Sequence, residues 1–82
     1  NSGRDTELLM NIEESYNRKD TVNFLLYSDR LTGLIDEEKF SGTDLEQLRK
    51  IKDTIHICRY GGGVIDSAKM DFIYSWLKRN VK

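Results

Sequence analysis

Apolar side chains recur along this chain at helical spacing, in stretches set apart by capping residues and glycines. The clearest lie in the second half. Thr43 and Glu46 form a capping-box pair, and Leu45, Leu48, Ile51 (or Lys52) and Ile55 then follow every three to four residues. Gly61-Gly62-Gly63 interrupts the pattern. It resumes at Val64-Ile65, with Ile65, Ala68 or Lys69, Phe72 and Trp76 on one stripe and Lys78-Arg79 near the end, where a helix favours cations. The spacing predicts two packed helices joined by a glycine hinge.

The first half reads in the same way. A helix is expected from about Asp5, as N-cap, to Tyr16, burying Leu8 or Leu9, Ile12 and Tyr16. Asn17-Arg18-Lys19-Asp20 is a polar link, and Asp20 caps a second helix that runs to about Leu31, with Gly33 as its stop. That helix has one stripe of Val22, Leu25 or Leu26 and Asp29, and another of Phe24, Tyr27 and Leu31. A helix apolar on more than one side sits centrally in a bundle. Asp36 to Phe40 makes a one-turn helix ended by Ser41-Gly42.

These elements predict an all-α fold: a compact five-helix bundle, four helices substantial and the third short. Leu8 or Leu9, Ile12, Val22, Leu25, Leu48, Ile51, Ile65, Phe72 and Trp76 are its expected core. Residues 1–4 are expected to be a disordered or tag-derived end and residues 5–82 one domain. Trp76 lies four residues after Phe72 and reads as core rather than as a binding surface.

Composition narrows the function. The 82 residues are 38% apolar, enough for one small core, and contain no proline. A net charge of −1 argues against binding nucleic acid by bulk electrostatics. No stretch has the length and apolarity of a membrane span. One cysteine, Cys58, allows no internal disulfide, and with one histidine, His56, it makes a structural zinc site improbable; a reducing compartment fits.

Catalytic chemistry finds little footing. Asp36, Glu37 and Glu38 read as partners of a helix dipole, while His56 and Cys58 fall on different helix faces. Ser28 and Ser67 have no base at helical reach. The glycine triplet lacks the Lys-Ser/Thr of a phosphate loop and reads as a helix stop. The expectation is a non-enzyme without cofactor or metal.

Val64-Ile65 through Trp76, with the preceding Asp44-Leu45-Glu46-Gln47-Leu48-Arg49-Lys50-Ile51 and the helix opening at Asp20-Thr21-Val22, resembles the TFIIS N-terminal domain family, in particular its divergent integrase-binding branch. The resemblance follows element order over most of residues 5–82 and is specific only from Leu45 onward. It implies a right-handed five-helix bundle of a nuclear transcription-elongation or chromatin factor. It also implies a groove between the first and last interhelical loops that binds acidic-aromatic motifs of disordered partners. By that resemblance the peptide-binding residues are Asn17, Arg18, Lys19 and Asp20 on one side, and Ile57, Tyr60, Gly61, Gly62, Gly63 and Val64 on the other. Two departures stand out. The segment between Ile51 and Val64 is several residues longer, and Arg18 and Lys19 replace an apolar residue and an acid that grip ligands in the integrase-binding branch.

The residues themselves leave Tyr60 two roles, an interface anchor beside side-chain-free glycines or a contact packed back on its own helix. The implied protein is a monomeric interaction module. The alternative is a small helical nucleic-acid-binding protein, or a phage- or plasmid-type regulator or immunity protein. Arg49, Lys50, Lys52, Lys78, Arg79 and Lys82 would give the nucleic-acid reading its basic strip, although Asp66 and Asp71 would repel phosphates.

Overall fold

A computed structural model describes residues 2–81. They form four α-helices and one 3-10 turn: α1 (Ser2–Arg18), α2 (Thr21–Gly33), the turn η1 (Glu37–Lys39), α3 (Gly42–Tyr60) and α4 (Ser67–Asn80). Among the described residues there is no strand. The expected third helix is the 3-10 turn, and the expected fourth and fifth helices are α3 and α4.

Each helix buries a stripe at helical spacing. Leu8, Ile12 and Ser15 come from α1, and Phe24, Leu25, Ser28, Leu31 and Thr32 from α2. Leu48, Ile51 and Ile55 come from α3, and Met70, Ile73, Trp76 and Leu77 from α4. The buried hydroxyls of Ser15 and Thr32 donate to the carbonyls of Ile12 and Ser28, both at 2.9 Å, which removes the cost of burying them. Trp76 is fully buried against Phe40, ring centroids 5.3 Å apart, so the residue after η1 closes over the core. Its indole N–H has no hydrogen-bond partner among the described residues. Helix α1 packs most extensively on α2, α2 on α3, and α1 on α4, whereas the α3 and α4 backbones barely approach each other.

Helix starts and core register differ from expectation in several places. Helix α1 begins at Ser2, so Asp5 lies in its first turn rather than at its N-cap, and residues 2–4 are helical instead of frayed; Asn1 lies outside the described residues. Helix α3 begins at Gly42 behind Ser41, ahead of the Thr43–Glu46 pair, and Ser41 makes no side-chain cap bond. Gly33 is the last residue of α2 rather than its stop. Helix α4 starts at Ser67 because the Asp66 carboxylate accepts from the Lys69 N–H at 2.9 Å, which leaves Val64-Ile65 outside the helix. Val22 is exposed, since α2 turns its Phe24–Leu31 side inward, and Ile65 and Phe72 only flank the core. Asp20 caps α2 as expected, accepting from the Asn23 N–H at 3.2 Å.

The link between α1 and α2 is a tight reversal. The Asp20 N–H reaches the Ser15 carbonyl (2.9 Å) and the Lys19 N–H the Tyr16 carbonyl (3.2 Å), the two bonds of a Schellman motif. Lys19 occupies its left-handed position with φ of 58°, where a side chain is strained. The Glu37 carboxylate ties η1 to α3, accepting from Lys52 at 2.7 Å and Arg49 at 3.5 Å. The Lys52 hydrogen bond and charge, then Arg49, hold its carboxyl below the usual range despite partial desolvation.

Three outcomes are expected. Trp76→Ala should cost about 3–5 kcal/mol, a large part of the roughly 5–15 kcal/mol typical of a domain; a melt unchanged from the parent would refute its place in the core. Lys19→Gly should relieve the left-handed strain, offset partly by a freer unfolded chain, for a net gain of about 0.5–1 kcal/mol. The melting midpoint would rise by about 2–8 °C. Because the folded-state pKa of Glu37 is depressed, its contribution is full above about pH 4.5 and fades as pH falls through the folded value. Melting midpoints followed into acid should therefore fall less steeply for Glu37→Gln than for the parent, and parallel curves would contradict this.

Candidate functional site

Side chains of α2 and α3 meet in antiparallel order. Thr32 and Gly33 share a shallow cleft with Lys52, Asp53 and His56, while Asp29, one turn earlier on α2, pairs with Arg59 near the end of α3. The end of α3 therefore lies beside Asp29, in the second half of α2. Three large apolar residues are exposed at the end of α3 and in the segment that follows it, Ile57 (53%), Tyr60 (62%) and Val64 (77%), and Val22 is exposed on α2.

Tyr60 is exposed but held. Its ring lies 5.2 Å from that of His56, one turn back, and the Arg59 guanidinium sits 4.9 Å above it. Its hydroxyl donates to the Asp29 carboxylate at 3.4 Å, and Arg59 donates to the same carboxylate. Of the two roles left open for Tyr60, the contact packed back on its own helix is present. One edge packs onto α3 and α2, and most of the ring still faces out. Arg59 and Asp29 were not anticipated in the site. The signal was an aspartate at position 29 on an otherwise apolar stripe, which needs a cationic partner close by.

The glycine segment is a fixed bend rather than a hinge. The N–H groups of Gly61 and Gly63 both donate to the Ile57 carbonyl, at 2.9 and 3.0 Å. Gly62 has φ of 78°, in the left-handed region. A Cβ on Gly63 would fall 2.6 Å from Cγ2 of Ile57, closer than real contacts allow. The bend thus holds Gly63 against Ile57, and beyond it the Val64 carbonyl accepts from Lys69 at 3.1 Å.

On the other side, Asn17 and Lys19 share a cleft of about 240 Å³ with Tyr16 and with Ser67, Met70 and Asp71 of α4. The first interhelical loop therefore faces the beginning of α4, immediately after the Gly61–Val64 segment. Tyr16 closes the cleft by donating to Asp71 and stacking on Tyr74, centroids 4.5 Å apart. That hydrogen bond, with desolvation and the Asp71 charge, pushes the Tyr16 phenol above its usual range. Burial, with the charge of Glu13, does the same for Tyr74 against the opposing effect of Lys78. Asp71, read from sequence as a surface charge, is in fact the partner that ties α4 to α1.

The remaining implied residues are unequal. Arg18 is exposed, with only a loose 3.8 Å pair to Glu14. Asp20 caps α2 and also accepts from the Asn23 amide at 2.8 Å. Of the basic strip, Arg49 and Lys52 are paired with Glu37, and Lys50 and Lys78 lie over the rings of Phe72 and Tyr74 at 5.6 and 5.7 Å. Lys82 lies outside the described residues. Among the described residues, no group of three or more His, Cys, Asp or Glu side chains is placed to hold a metal, and no helix is long and apolar enough to cross a membrane. Compared with known proteins, the chain matches no family model, no curated protein and no solved structure.

Proposed function

We propose that this domain is a protein-interaction module that docks a short acidic-aromatic segment of a disordered partner. The segment would run from the Asn17–Asp20 link, which faces the beginning of α4, to the Ile57–Val64 segment that precedes that helix. The observation that carries this reading is the exposure of three large apolar residues, Ile57, Tyr60 and Val64, within the Ile57–Val64 segment itself. A large ring held in place by His56, Arg59 and Asp29 loses little freedom on binding, which suits an anchor. Arg18 and Lys19 supply exposed cations on the Asn17–Asp20 link, and their effect would fall mainly on the rate of encounter. Resemblance to the TFIIS N-terminal domain family supports a partner among transcription or chromatin proteins and a nuclear location. The nucleic-acid reading is weaker, because Glu37 already engages two of its cations.

Amide shifts on titration with an acidic-aromatic peptide should move in both loops together, with affinity roughly micromolar because the peptide must order on binding. Tyr60→Ala should weaken binding by about 1–3 kcal/mol, while the Arg59–Asp29 pair keeps the helix ends joined and the fold intact. Charge reversal at Arg18 and Lys19 should slow association and reduce its salt dependence. Unchanged affinity in Tyr60→Ala, with shifts confined to residues 49, 52, 78 and 79 on adding oligonucleotides, would reverse the assignment.

A further inference from the structure

Among the described residues, the backbones of α3 and α4 stay apart and leave a cleft between them, a seam whose chemistry is specific. Helix α3 contributes Lys50, Thr54 and Ile57, spaced i, i+4, i+7 on one face, and α4 contributes Ala68, Lys69 and Phe72. Lys50, Thr54, Ala68, Lys69 and Phe72 line a cleft of about 280 Å³. Its floor is apolar, with Ala68 exposed and Phe72 half-buried, and one lysine stands on each wall. Lys50 lies 5.6 Å from the Phe72 centroid. Lys69 donates to the Val64 carbonyl at 3.1 Å and keeps a loose 3.9 Å pair with Asp66, the acid in contact with these lysines. At its loop end the seam runs into exposed Ile57 and Val64, which belong to the surface already described.

We propose that the seam is a second subsite for the same partner. The peptide that crosses Ile57 and Val64 continues down between α3 and α4, seats an apolar side chain on Ala68 and Phe72, and sets carboxylates against Lys50 and Lys69. The inference rests on the peptide-docking reading above. Charge selects the occupant: two cations bracketing an apolar floor complement an acidic segment with an apolar centre. Length is consistent too, since Lys50 to Ile57 spans about 10 Å at the helical rise, room for about three extended residues.

The test uses the full chain with a capped peptide of alternating glutamates and leucines centred on one phenylalanine. Its controls are the lysine-for-glutamate counterpart and an oligo-thymidine strand. Amides of Lys50, Thr54, Ala68, Lys69 and Phe72 should shift together with those of Ile57 and Val64. Joint Lys50→Glu and Lys69→Glu reversal should weaken binding about tenfold. Ala68→Glu isolates the seam from the fold, because a carboxylate in the first turn of α4 suits the helix dipole. It should leave the melt unchanged or raised and still weaken the acidic peptide about tenfold. If reversal at Arg18 and Lys19 weakens binding while the seam variants bind like the parent, docking at the loops stands and the seam proposal falls. If the lysine peptide binds as well as the acidic one, the charge argument fails. Shifts with oligo-thymidine alone would overturn both readings.

Discussion

Burial of Trp76 is the constraint on which the other features depend. A domain of this size has one core, and the indole is its largest fully buried side chain. Seating it together with Met70, Ile73 and Leu77 fixes the rotation of α4. That rotation decides which residues flank the core on each side. Tyr74, Asp71 and Lys78 turn toward α1, where Tyr16 meets Asp71, and Ala68 and Phe72 turn toward α3. Both clefts beside α4 follow from this one choice of register.

The elements themselves were legible because their signals are local. Asp20, Asp36, the Ser41-Gly42 break and the glycine triplet punctuate the chain where the helices change. On α1 and α3 the expected Ile12, Leu48 and Ile55 are buried, packing chooses Leu8 over Leu9 and Ile51 over Lys52, and Tyr16 and Leu45 are only partly buried. Register on α4 was not legible. Ala68, Met70, Phe72, Ile73, Tyr74, Trp76 and Leu77 cover most of its circumference, so periodicity alone does not select a face. The expected stripe took its phase from Ile65, which lies ahead of the Asp66 cap and outside the helix. Its centre falls about 90° from that of the buried set at 3.6 residues per turn. The same ambiguity placed Val22 in the core, because α2 also has two apolar sides and only packing chooses between them.

Site residues divide along the same line. Tyr60 and the glycines were visible as an aromatic beside a bend. Its anchoring by Asp29 and the tie from Tyr16 to Asp71 join residues 31 and 55 positions apart, beyond any local pattern. Asp20 is local in the same sense as the glycines: its role as the cap of α2 follows from its place just ahead of the helix.

The contact between Ile57 and Gly63 reaches beyond stability. Cγ2 of Ile57 fills the space a Cβ at position 63 would need, so any side chain there obliges Ile57 to move. Ile57 is itself one of the exposed apolar groups at the end of α3. A substitution at position 63 would therefore disturb the bend and reorient part of the outward apolar surface in a single step.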